Sequence, residues 1–132
     1  MPSPTEITLH QQSKVLEITY EDGANYRLPF EFLRVHSPSA EVRGHGKGNE
    51  KLQFGKRHVN LLSVHPVGSY ALKLSFDDGH NTGLYTWEFL YDLGKFQDTL
   101  WQDYLDKLQV AGKSRDMQSK FLVHFRSTKW QR

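Results

Sequence analysis

Seven histidines occur in a 132-residue chain that has no cysteine. Neutral imidazole is a common metal ligand, so His36, His45, His58, His65 and His80 are the first candidates for a site. Their spacing argues against one. No pair stands at the i, i+4 interval of a helical zinc motif, and no H-x-D or H-x-E opens a facial triad. Surface or hydrogen-bonded histidines are the favoured reading. The missing cysteines also exclude disulfides, thiolate metal sites, cysteine nucleophiles and cysteine-ligated iron–sulfur clusters.

GHGKG, residues 44–48, has the glycines of a phosphate loop but not the pattern. Gly55-Lys56 is followed by Arg57 rather than Ser or Thr, and Asn49 stands where a dinucleotide fingerprint needs its last glycine. Arg43, His45, Lys47, Lys51, Lys56 and Arg57 still make the segment basic, and loops of this length in small domains are often functional. No G-x-S-x-G elbow exposes a serine. Asp77-Asp78 could pair as carboxylates, but it lies in a turn signature, where a structural role is favoured over acid–base work.

Those residues must be positioned by a small domain. The length fits one unit able to bury roughly two-thirds of its unfolded surface, and 13% aromatic content points to aromatic anchors in the core. Charge is uneven. Residues 113–132 carry Lys113, Arg115, Lys120, Arg126, Lys129 and Arg132 against Asp116, or +5, so the remainder is 11 cations less 14 anions, or −3. The chain is therefore read as a domain over 1–116 and a basic tail over 117–132. That tail is either a solvated, partly disordered terminus or a contact for an acidic surface. MPSPTEITLHQQ lacks the form of a secretory signal, and nowhere do about 18 apolar residues run together, so the expected location is cytoplasmic, with no membrane contact.

Period-two alternation marks the strands. Ile7 and Leu9 share one face, as do Leu16, Ile18 and Tyr20, and later Tyr70, Leu72, Leu74 and Phe76. Asp22-Gly23 and Asp78-Gly79 supply tight turns. A short helix is expected after Pro29, placed at its first position, and a second after Thr86 as N-cap, with Gly94 as a left-handed C-cap. A longer helix follows from about Phe96 to Ala111, ended by Gly112. Val59 to Val64 reads as a buried strand, Pro66-Val67-Gly68 as a turn, and Leu52 to Phe54 as a candidate short strand. Leu16, Ile18, Tyr20, Asp22-Gly23 and Glu31-Phe32-Leu33 match Leu72, Leu74, Phe76, Asp78-Gly79 and Glu88-Phe89-Leu90. The pattern is either a duplicated strand–turn–strand–helix unit or two copies of one local packing solution. Both give an α+β fold whose antiparallel sheet is built from two such units, with helices packed on one face and a longer C-terminal helix.

LRVHSPSAEVRGHGKG, FGKRHV, HPVGSYALKLSFDDGHNTGLYTWEFLYDLG and YLDKLQVAGKSRD together resemble the gamma-butyrobetaine hydroxylase-like N-terminal domain, over roughly residues 5–116. The resemblance implies a small stand-alone bacterial member of a domain of unknown function. In the family it resembles, the domain occurs alone in bacteria, at the front of 2-oxoglutarate oxygenases, and attached to ATPases that carry iron–sulfur clusters. The oxygenase-linked version holds a structural zinc through three cysteines and a histidine. Ser37, Ser39 and Val42 stand at the cysteine positions here and His80 at the histidine, so zinc is not expected as a cofactor. The oxygenase jelly roll and the Walker motif are absent, so neither activity carries over.

The resemblance thus implies a non-enzymatic accessory or protein-interaction module, its partner another protein of iron or iron–sulfur metabolism. His36, Arg43, His45, Lys56, Arg57, His80 and Trp87, around the loop and the turn, are the expected contact surface. The alternative is iron or zinc binding or delivery through His80 and other histidines. A third reading, nucleic-acid contact through the basic tail with Phe121, Phe125 and Trp130, is the least favoured.

Overall fold

The computed structural model describes residues 1–39, 42 and 51–116, and its frame is a pair of antiparallel three-stranded sheets. The first contains β1 (Pro4–His10), β2 (Val15–Tyr20) and β3 (Asn25–Pro29) in that order and leads into α1 (Phe30–Val35). The second contains β4 (Leu61–Val67), β5 (Ala71–Phe76) and β6 (Leu84–Thr86) and leads into α2 (Trp87–Lys95). A longer helix, α3 (Gln97–Ala111), completes the chain order. The α+β architecture is the one the sequence pattern implies, with the strands divided between two sheets. Among the described residues no helix is long and apolar enough to cross a membrane.

The two sheets share one register. Pro4 pairs with Tyr20 and, past a bulge, Glu6 with Thr19 and onward to His10 with Val15. Leu61 pairs with Phe76 and, past a bulge, Ser63 with Ser75 and onward to Val67 with Ala71. The offset is 57 in the first strand (Pro4 to Leu61) and 56 in the second (Tyr20 to Phe76), and it holds at every pair, bulge included. The third strands agree too, Leu16 facing Leu28 and Leu72 facing Tyr85.

The turns repeat as closely. Gly23 and Gly79 both take φ 87°, a region that only glycine enters without a Cβ penalty. Asp22 Oδ1 accepts the Ala24 N–H at 2.9 Å and Asp78 Oδ1 the His80 N–H at 3.2 Å. Glu21 N–H donates to Ser3 O and Asp77 N–H to Asn60 O, each at 2.9 Å. Each helix then begins with its first N–H on the residue before the middle strand, Phe30 to Lys14 O and Trp87 to Tyr70 O, both at 3.0 Å. This agreement in register, bulge and turn bonding favours a duplicated unit over two independent packing solutions.

Alternation puts Leu16, Ile18 and Tyr20 from one unit and Leu72, Leu74 and Phe76 from the other into a single core with Leu28, Leu61 and Leu90. The units also tie to each other. Tyr91 of α2 donates to Asp22 Oδ2 at 2.6 Å, and Arg34 of α1 donates Nε to Asp78 Oδ2 at 2.8 Å, so each helix holds the other unit's turn. Tyr20 OH reaches Trp87 O at 2.9 Å and Tyr85 OH reaches Leu33 O at 2.7 Å.

Four local expectations are corrected. Gly94 lies inside α2 rather than capping it, and its lack of a Cβ makes room for the Tyr26 ring. Pro66 belongs to β4, opposite Leu72; β4 is an edge strand, where a missing N–H breaks no interior ladder. Leu52 to Phe54 forms no strand, and Pro29 ends β3 as the residue before α1. Thr86 does cap α2, its Oγ1 accepting the Phe89 N–H at 3.1 Å, and Gly112 closes α3 at φ 68°.

Beyond α3 the chain returns to the domain. Gly55 N–H donates to Ser114 O at 2.9 Å and Arg57 N–H to Arg115 O at 3.0 Å. Arg115 forms a two-pronged pair with Glu31 at 2.9 and 2.6 Å and lies over the Trp101 ring. The basic tail over 117–132 lies outside the described residues.

Candidate functional site

The chain leaving α1 passes through His36 into Ser37, Pro38 and Ser39 and meets the β5–β6 turn. Ser37 Oγ stands 2.7 Å from His80 Nε2, Ser39 Oγ 3.4 Å from the same nitrogen, and the Ser39 N–H points to Ser37 Oγ at 3.3 Å. All three side chains are buried, Ser37 at 1% exposure and His80 at 6%, and the Val42 N–H donates to Ser39 O at 3.1 Å. Gly83 lets this junction close: a Cβ there would come within 2.6 Å of Ser37 Oγ.

Next to the cluster, Asp78 Oδ2 accepts from both Arg34 Nε at 2.8 Å and Lys56 Nζ at 2.6 Å, and Arg34 Nη1 donates to Gln53 Oε1 at 3.1 Å. Burial works against the Asp78 charge, but the hydrogen bonds from Lys56 and Arg34 override it and hold the carboxyl at about 2. The turn's second carboxylate is therefore an anchor for two cations, the structural role that its turn signature suggests.

His36, with Ser37 and Val42, lines a cleft of about 820 Å³ between the exit of α1, the Leu52 segment, α2 and α3. Val35, Leu52, Leu93, Phe96 and Leu100 give it apolar walls, and Lys51, Lys107, Asp92 and Asp103 add charges of both signs to its lining. The ring of His36 is held by Phe32, whose carbonyl it meets through Nδ1 at 2.8 Å, and burial pushes its pKa down.

The expected contact residues occupy different surroundings. His36 lines the cleft, His80 is turned into the protein, and Lys56 and Arg57 are paired with Asp78 and Asp116. Trp87 sits at the far end of the β5–β6 hairpin from His80, its indole N–H on Ser69 O at 2.7 Å. Arg43 and His45 lie outside the described residues. The cleft itself went unread in the sequence; the exposed Phe96 between two helices is the only local hint of it.

The family resemblance sets zinc ligands at Ser37, Ser39, Val42 and His80, and of these Ser37, Ser39 and His80 do meet here, but their donor set does not fit the ion. Structural zinc takes four nitrogen or thiolate ligands. Here one imidazole nitrogen meets two hydroxyls, which stay protonated and supply no charge, and Val42 supplies no donor. No group of three His, Cys, Asp or Glu side chains placed to hold a metal occurs among the described residues.

A duplicated antiparallel unit with helices anchored on each other's turns, and a hydrogen-bonded Ser–His corner, defines a small α+β domain. A family model described as "Gamma-butyrobetaine hydroxylase-like, N-terminal" matches residues 7–91, and the chain belongs to that family. Two proteins solved by NMR are similar to it. The first is 59% identical with a TM-score of 0.77, covering 88% of this chain and 91% of its own; the second is 48% identical with a TM-score of 0.75, covering 89% and 91%. A crystal structure from Acidithiobacillus ferrooxidans, described as a protein with unknown function of the DUF971 family, is 43% identical with a TM-score of 0.60 and covers 70% of this chain and 92% of its own. Comparison with curated proteins gives no match.

Proposed function

We propose that this protein is a non-enzymatic docking module that receives an apolar segment of another protein in the cleft between α1, α2 and α3. The cleft carries the reading: its walls are apolar, its rim offers charges of both signs, and Phe96 stands half exposed at its edge. Open apolar concavities with a few polar groups at the rim are where proteins bind ligands and partner segments. Ser37, the hydroxyl a hydrolytic reading would need, is 1% exposed and engaged with His80 at 2.7 Å. The partner class implied by the family resemblance is a protein of iron or iron–sulfur metabolism.

Capture from cells expressing the protein at native level, read by quantitative mass spectrometry, tests this. Phe96→Asp and Leu100→Asp should lose the partner that the wild type retains, while Leu62→Asp, on β4 outside the cleft and 62% exposed, should keep it. Equal recovery by all three variants would exclude the cleft as the docking site.

A further inference from the structure

The corner between α1 and the β5–β6 turn departs from the symmetry that governs the rest of the fold. In one half of the molecule Tyr26 of β3 lies ring-down on Gly94 of α2. At the 57-residue offset the same two places hold Gly83 and Ser37, so large and small have been reversed and the ring is gone. Into the space enter the Ser37 and Ser39 hydroxyls and the His80 imidazole, where the other half has only Ala24 at the turn. A junction closed by aromatic packing in one unit is closed by polar groups in the other.

We infer that Ser37, Ser39 and His80 form a metal-free clasp, which fastens the segment leaving α1 to the β5–β6 turn by hydrogen bonds where the family's zinc-binding version would be fastened by an ion. Three features of the geometry carry this. Ser37 Oγ, at 2.7 Å, engages His80 Nε2 and so occupies a nitrogen that could otherwise ligate a metal. The Ser39 N–H and hydroxyl complete the cluster from two residues away. All three side chains are buried, so the bonds are shielded from competing water, and the loss of one removes a short, desolvated hydrogen bond from the cluster. The clasp stands independently of the docking reading, and neither of its readouts below involves a partner.

The test uses the full chain purified without a polyhistidine tag. Metal analysis of the wild type should find zinc and iron well below one per chain, and a chelator should leave its Tm unchanged. Ser37→Ala and His80→Ala should each lower Tm by roughly 3–6 °C, with the double variant falling short of their sum. Ser37→Cys/Ser39→Cys/Val42→Cys, which completes a Cys3His set, should gain one zinc per chain and a chelator-sensitive Tm. A stoichiometric metal in the wild type that His80→Ala removes would overturn the clasp, as would single variants with unchanged Tm. A folded triple variant that binds no zinc would show that the corner is not a metal cradle refilled by hydrogen bonds. If the triple variant does not fold, the wild-type metal content and the single variants still decide.

Discussion

The ring of Tyr26 rests on the backbone of Gly94 so closely that the ring fills the place where a Cβ would stand. Helix α2 runs through this contact without a break, so the glycine serves close approach and not chain reversal. Gly94→Ala should therefore destabilise the protein by about 2–3 kcal/mol in chemical denaturation, because overpacking outweighs the propensity that alanine gains. Tyr26→Ala in the same chain should remove the clash, so the two changes together cost less than the sum of each alone. A stabilising Gly94→Ala would mean that the ring is free to move aside.

The turn glycines make a matched pair. Both sit at φ 87° with nothing near the position of a Cβ, so only the backbone penalty applies. Gly23→Ala and Gly79→Ala should each cost about 1–2 kcal/mol, and the two costs should agree. Costs that differ several-fold would show that the units only look alike.

Asp78 and His36 contribute to the acid response alongside Glu17 and Asp22, whose carboxyls are also held low by side-chain hydrogen bonds. The folded pKa of Asp78, about 2, is below its unfolded value, so its contribution is present above about pH 4 and is lost as pH falls toward 2. Asp78→Asn should flatten that fall in Tm while lowering Tm at neutral pH, since the buried Arg34 loses its charged partner. His36 acts earlier. Burial lowers its folded pKa, so the unfolded chain takes up the proton first and stability declines as pH drops below about 6.5. Replacing His36 with Phe should remove that earlier limb and leave the later one.

Arg115 is the anchor of the chain after α3. Its two bonds to the buried Glu31 and its place over Trp101 fix the return of residues 113–116 along Gly55 to Arg57. Arg115→Ala should cost about 2–3 kcal/mol by leaving a buried carboxylate unpaired, tempered by the partial exposure of the Arg115 side chain. Glu31→Gln/Arg115→Ala should recover part of it; no recovery would show that the packing on Trp101 matters more than the charge.

Local chemistry was legible wherever a residue's type fixes its own backbone. Alternation in Leu16-Glu17-Ile18 and in Leu72-Lys73-Leu74 located the strands, Asp-Gly located both turns, and Thr86 and Gly112 located helix ends. Gly94 was misread because a glycine in a left-handed cap and one beneath a ring are the same letter. Pro66 was misread because a proline signals a turn unless the sheet places it on an edge. The contact of Ser37 with His80 joins residues 43 apart, and no period or spacing encodes it. Only the family resemblance placed those residues together. The cleft is built from segments far apart in the chain, and beyond Phe96 between two helices nothing in the sequence marks it.

The crossed anchors of Tyr91 on Asp22 and Arg34 on Asp78 bear on how the molecule holds together. Each half supplies the fastening that the other lacks, so the pair resembles two subunits whose connecting segment sets their effective concentration. Lengthening that connection weakens the encounter only gradually, since loop closure grows with the logarithm of length. Cutting it would turn an intramolecular fold into a heterodimer, with a stability that depends on how much of each fragment is present.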